Sequence, residues 1–112
     1  MHFSLESKPL GTVDRYIIHA DDCELEILAG FGAGLNAWRI PSCRGTLDLL
    51  YGYRDAETFR KIYADTNAGV CLSPFPGRTA NAEWKWNGKT YRLVNNVSWA
   101  PHALHGFLNV LP

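Results

Sequence analysis

The residue types that could do chemistry gather in two short segments. In Pro101-His102-Ala103-Leu104-His105-Gly106-Phe107, two histidines stand three apart. On a helix that spacing would let both imidazoles share a metal ion. Pro101 and Gly106 argue against a helix, however, and no carboxylate or cysteine lies within ten residues to complete a ligand set, so no metal is expected. His105 reads instead as a hydrogen-bonding or acid/base group, since imidazole changes protonation near neutral pH. Gly106 beside it would let a ligand approach the backbone. The second segment is Leu72-Ser73-Pro74-Phe75-Pro76-Gly77-Arg78. Its two prolines stiffen the approach to Arg78, which suits a guanidinium that must present a planar fork of donors at defined angles. Taken singly, Arg78 is a solvated arginine and His105 a structural histidine. What joins them is the stretch between.

Other chemistries find less support. Gly30-Phe31-Gly32-Ala33-Gly34 has the glycine density of a phosphate loop. A nucleotide loop opens an amphipathic helix, though, and here Leu35 to Ile40 is short and stops at Pro41. A strand is expected there, with the glycines permitting a turn or bulge before it. Cys23, Cys43 and Cys71 are odd in number and form no Cys-x-x-Cys pair, so they are read as reduced, partly buried thiols of a cytoplasmic protein.

The elements that must position Arg78 and His105 are mostly strands. Asn87-Gly88 supplies the positive φ angles of a type I′ turn, which predicts a hairpin pairing Trp86 with Lys89, Trp84 with Tyr91, and Ala82 with Leu93. The other face then pairs Glu83 with Arg92 and Lys85 with Thr90, an arrangement compatible in charge. The Trp-Tyr stripe is read as cover for a core, with a sugar-stacking platform as the alternative. Upstream, Tyr16, Ile18 and Ala20 alternate with Ile17 and His19, and Cys23, Leu25 and Ile27 alternate with Glu24 and Glu26. Asp21-Asp22 would close these runs into a hairpin, placing Tyr16, Ile18, Leu25 and Ile27 on one buried face. Thr46 to Tyr51 is a further strand candidate. Asp55 to Tyr63 alone looks helical, capped by Asp55, and is expected to make one or two turns outside the core.

A Pro-Phe-Pro-x-Arg loop, a hairpin reading "WNGKTYRL", and then "HALHGF" together resemble the aldose 1-epimerase (galactose mutarotase) family. The similarity runs from about Gly11, which opens the usual first strand, through Phe107. Its specific part is Leu72 to Phe107. The resemblance implies an all-β fold, an antiparallel β-sandwich that is part of a galactose mutarotase-like supersandwich, with residues 1–112 as the N-terminal portion of a single domain. The implied reaction interconverts α and β anomers of a hexose. A carboxylate takes the C1 hydroxyl proton, a histidine protonates the ring oxygen, and the ring opens and recloses without any cofactor. Arg78 matches the family arginine that hydrogen-bonds sugar hydroxyls. His105 matches the first active-site histidine, close to the ring oxygen, and is the expected catalytic and substrate-binding residue.

Departures from the pattern matter too. Gly77-Arg78-Thr79 stands where the family often has Asn-Arg-Ile, so one ligand contact is missing. Gly106-Phe107 replaces Gly-Gly. The family's second histidine, binding aspartate and catalytic glutamate have no counterpart here, and no carboxylate follows Glu83. The chain is therefore expected to lack the catalytic base, and Val110-Leu111-Pro112 to break off mid-pattern, leaving strand edges open to homo-oligomers.

Bulk composition agrees with an ordinary globular domain: 46% apolar residues, with 11 basic against 11 acidic. A balanced charge without a basic cluster argues against a nucleic-acid partner, and none is expected. No apolar run is long enough to span a bilayer or follows a basic N-terminal patch, so neither a membrane partner nor a signal peptide is expected. A hexose is the expected ligand, with a phosphorylated hexose less favoured because no second basic residue flanks Arg78. The alternatives are a non-catalytic carbohydrate-binding β-domain and a purely structural fragment.

Overall fold

The computed structural model describes residues 2–108, which form two compact units meeting in sequence at Cys71-Leu72. Val110-Leu111-Pro112, expected to end mid-strand, lie outside the described residues. Among the described residues no helix is long and apolar enough to cross a membrane.

The first unit is an antiparallel meander of five strands in sequence order: β1 (Phe3–Ser7), β2 (Arg15–Ala20), β3 (Cys23–Leu28), β4 (Gly34–Ser42) and β5 (Gly45–Asp48). Asp21, at φ 51°, closes the β2–β3 hairpin, and His19 faces Glu24 while Ile18 faces Leu25. That register is the expected one. Strand β1 has no counterpart in the sequence reading, and Gly11 opens no strand. It sits at φ 61° in a turn bracketed by the Leu10–Val13 bridge. Strand β4 also runs past Pro41. Pairing with β3 ends at Arg39, so the missing N–H of Pro41 faces no second ladder. Strand β5 stops at Asp48 because the Asp48 carboxylate accepts the Trp38 and Leu50 N–H groups and turns the chain.

The faces of this sheet are the reverse of the expectation. Tyr16 is 39% exposed and Trp38 48%, whereas Ile17, Glu26 and Leu28, on the opposite side, are buried. The alternation is the expected one, but the unit covers the side that carries a glutamate. Three partners make that tolerable. Arg15 Nη1 lies 3.2 Å from one Glu26 oxygen, Asn36 Nδ2 donates to the same oxygen at 3.0 Å, and Arg39 Nη1 reaches the other at 2.6 Å. Burial pushes the Glu26 carboxyl up, but the hydrogen bonds from Asn36 and Arg39 and the charges of Arg39 and Arg15 outweigh it. The group sits below its ordinary range. Asn36 reaches Glu26 because a bulge between Glu26 and Ile27 re-aims it. Its amide also exchanges hydrogen bonds with both backbone groups of Tyr53, at 2.8 and 3.1 Å. A Cβ on the neighbouring Gly52 would stand 1.7 Å from the Asn36 carbonyl, so no other residue fits that approach.

The helix is longer and more central than expected. α1 spans Ala56–Thr66, with Asp55 accepting the Thr58 N–H at 2.7 Å and Asn67 closing it in the left-handed region. Phe59 is wholly buried, and with Tyr53, Tyr63, Leu10, Val13 and Leu28 it forms the unit's core. The rings meet edge-on or tilted at 4.6 to 5.9 Å. Burial, with Tyr53 and Cys71 close by, pushes the Tyr63 phenol up to about 12, so its hydroxyl stays a donor to the Phe31 carbonyl. The glycine-rich segment is a turn into β4, and the cysteines are free thiols, with Cys43 exposed rather than partly buried.

Acid should weaken this unit in a way traceable to one carboxylate. Because Glu26 titrates lower in the folded chain than in the unfolded one, the unfolded state binds more protons as pH falls. Its contribution is complete above the ordinary glutamate value of about 4.3 and disappears as the pH drops through the lower folded value. Urea midpoints should therefore decline from about pH 5 to pH 2. Glu26→Gln should be less stable at neutral pH with a shallower acid slope, and an unchanged slope would assign the acid sensitivity elsewhere.

Candidate functional site

The second unit holds both expected site residues. Its hairpin is as expected: β7 (Glu83–Trp86) and β8 (Lys89–Arg92) turn at Asn87 and Gly88, at φ 46° and 73°. Trp84 pairs with Tyr91 and Trp86 with Lys89, and the Leu93 N–H reaches the Ala82 carbonyl at 2.7 Å. Trp84 and Tyr91 stack at 5.0 Å with a 13° interplanar angle. The stripe does not cover a core, since Trp84 is 44% and Trp86 65% exposed. Strands of four residues make too short a ribbon to bury these rings by themselves.

Arg78 and His105 come together through a two-rung ladder. β6 (Arg78–Thr79) pairs antiparallel with β9 (Ala103–Leu104), setting Arg78 opposite Leu104. One rung further, Gly77 and His105 bond reciprocally. The His105 N–H donates to the Gly77 carbonyl at 2.8 Å, and the Gly77 N–H donates to His105 Nδ1 at 3.0 Å. His105 is thus hydrogen-bonded to the residue preceding Arg78 across a chain separation of 28 residues.

The second of those bonds has a chemical consequence. A backbone N–H can only donate, so Nδ1 must be the acceptor and the neutral ring carries its proton on Nε2. His105 thereby offers an N–H donor on its outer edge. His102 is held in the same form, with the Asn81 N–H donating to its Nδ1 at 3.2 Å. Both imidazoles thus have Nδ1 engaged by a backbone amide. Among the described residues, no group of three or more His, Cys, Asp or Glu could hold a metal ion.

Gly106 has a different role from the one anticipated. It sits at φ 68°, and a Cβ there would stand 1.9 Å from the Ser73 carbonyl. That carbonyl accepts the Phe107 N–H at 2.8 Å, so Gly106 admits the chain's own Ser73-Pro74 segment rather than a ligand. Phe75 and Phe107 meet edge-on beside it at 6.2 Å. The Ser73-Pro74 peptide is cis.

Asn96 is the residue that the sequence reading missed. Its amide donates to the Leu104 and Gly106 carbonyls at 2.8 and 2.9 Å, and its oxygen accepts the Leu104 N–H at 2.7 Å. One side chain thus straddles His105, which itself sits at φ 60°. A non-glycine residue in that region persists only where its surroundings hold it. The sole sequence signal was an Asn-Asn pair in a loop, which ordinarily marks a turn.

These observations make a concrete expectation. In the neutral ring, imidazole 15N shifts should show His105 Nδ1 unprotonated and Nε2 protonated. Asn96→Ala removes three hydrogen bonds at about 1 kcal/mol each. It should lower stability by about that much to three times as much, and speed exchange of the His105 amide. A protonated Nδ1 in the neutral ring would refute the arrangement.

Comparisons with known proteins place the chain in context. The family model for aldose 1-epimerase matches residues 14–110. A galactose 1-epimerase from Lactobacillus acidophilus NCFM superposes with a TM-score of 0.66 at 15% identity, over 97% of this chain and 32% of that one. At that identity the likeness speaks for the fold alone, and the chain spans about a third of the length of that enzyme. No curated protein matches.

Proposed function

The chain belongs to the aldose 1-epimerase family, and from that premise we propose that residues 72–108 carry the hexose-binding and ring-oxygen-polarising part of an anomer-interconverting site. Residues 1–112 would then be the N-terminal portion of a single family domain. The observation that carries the reading is the reciprocal bonding of Gly77 and His105, which sets a donor-bearing imidazole one rung from Arg78. In the proposed reaction the C1–ring oxygen bond breaks as the C1 hydroxyl loses its proton and becomes a carbonyl. Negative charge grows on the ring oxygen, and a fixed Nε2–H aimed there stabilises it at no cost in reorganisation. Arg78 holds hydroxyls of the same sugar.

The reaction also needs a base for the C1 hydroxyl. Glu83 is the one carboxylate in residues 72–109, and Arg92 Nε binds it at 3.2 Å on the hairpin. This chain by itself is therefore proposed to bind and polarise without abstracting the proton. The open edges β1 and β5 of the first unit, with Phe3 62% and Leu5 67% exposed, support self-association as part of the same proposal.

Calorimetric titration with galactose and glucose should give binding at millimolar sugar, and Arg78→Ala or His105→Ala should each weaken it about tenfold or more. Absence of heat with either sugar would end the hexose reading. Polarimetry of freshly dissolved α-galactose should follow the buffer rate. An accelerated rate would show a base within the chain, whereas binding at the buffer rate also fits a non-catalytic carbohydrate-binding domain. In sedimentation velocity, species heavier than 12.6 kDa should grow with concentration. A concentration-independent monomer would remove the self-association proposal.

A further inference from the structure

The second unit has two arginines, and they are held by opposite means. Arg92 spends a guanidinium donor on Glu83. Arg78 has no carboxylate within ion-pair distance among the described residues, and no side-chain hydrogen bond from it is formed there. Its guanidinium carbon lies 5.3 Å from the ring centre of Trp99. Trp99 in turn meets His102 edge-on, at 6.1 Å and 89°, and His102 is fixed by the Asn81 N–H. A chain of contacts thus runs from a backbone amide through two rings to the guanidinium.

The means of holding decides what the arginine can still do. A carboxylate partner binds in the guanidinium plane and uses its N–H groups, two of them when it binds as a fork. An aromatic partner attracts the cation through its ring face and consumes no donor. A neutral polyol offers no charge to compete with a carboxylate, so an arginine meant for sugar hydroxyls is better held by a ring. Trp99 is also 61% exposed, more than a residue kept for core packing needs to be.

We infer that Trp99 is the positioning residue for Arg78: it orients the guanidinium while leaving the in-plane donors to a neutral sugar. This rests on the hexose reading above and names what that site selects, an uncharged polyol rather than an anion. Trp99 lies outside the short motifs that carry the family resemblance, whereas His102 opens one of them.

The test has two arms on the full chain. The first reads Arg78 by NMR without sugar. In the wild type, its side-chain resonances should be shifted by the Trp99 ring current and its Nε–H should be ordered. Trp99→Ala should abolish both and Trp99→Phe should restore them in part, while the Asn87-Gly88 hairpin signals stay in place as a control for folding. The second arm titrates galactose. Trp99→Ala should weaken binding about three- to fivefold, with partial recovery in Trp99→Phe. Arg78 resonances indifferent to Trp99→Ala, or equal galactose affinity in wild type and Trp99→Ala, would overturn the inference. A wild-type chain that binds neither galactose nor glucose instead sinks the hexose reading and the selectivity inferred from it. The NMR arm then still decides whether the ring holds the arginine.

Discussion

A carboxylate buried in the middle of a sheet is the constraint around which the first unit is arranged. Left unpaired, Glu26 would cost several kcal/mol of desolvation. Meeting that cost draws Arg15 from β2, Arg39 from β4 and the bulged Asn36 into one cluster. Asn36 extends the network to the Tyr53 backbone, which anchors the loop leading into α1. Arg39 then continues along the face to Glu24 and Asp48. The aromatic core beyond, centred on Phe59, stands next to this polar layer. Replacing the whole cluster by matched apolar side chains could leave stability unchanged, whereas deleting one partner strands a charge.

The second unit solves a different problem with fewer means. It has short strands and little apolar burial, with Ala82 and Ala103 as its buried apolar residues. Its order comes from hydrogen bonds that bring distant segments together: Ser73 with Phe107, Gly77 with His105, and Asn96 across Leu104 to Gly106. Each replaces contacts that a larger core would supply. The same bonds determine which nitrogen of His105 carries its proton, so support and chemistry are one arrangement. Arg78 completes the pattern, set over a ring face and, among the described residues, with its donors unspent.

Several features were legible before any coordinates. The Asn87-Gly88 hairpin and its register, the Asp21-Asp22 hairpin, the Asp55 cap and the family itself all rest on short-range chemistry or on motif order. The errors share a cause. In the sequence, Asp55 to Tyr63 shows a cap and a short helical run, and only the aromatic cluster around Phe59 shows why helix α1 is part of the core. Phe3-Ser4-Leu5-Glu6-Ser7 is a weak alternation by itself, and pairing with β2 turns it into strand β1. A glycine such as Gly106 signals a close approach without saying by what, and here it is the Ser73 carbonyl.

By itself, then, the sequence determined strand periodicity, turn positions, the pairing that turns impose and the membership of a family, since each is set by residues near one another along the chain. Tertiary structure decided which side of the sheet is buried, which nitrogen of His105 bears the proton, and that Arg78 rests on a tryptophan. Alternation sorts residues into two sets without stating which set is covered, and a glutamate can join the covered set once two arginines and an asparagine reach it. A neutral imidazole likewise has two tautomers open to it until an amide 28 residues away donates to one nitrogen. Those outcomes depend on partners distant in sequence, which no local pattern records.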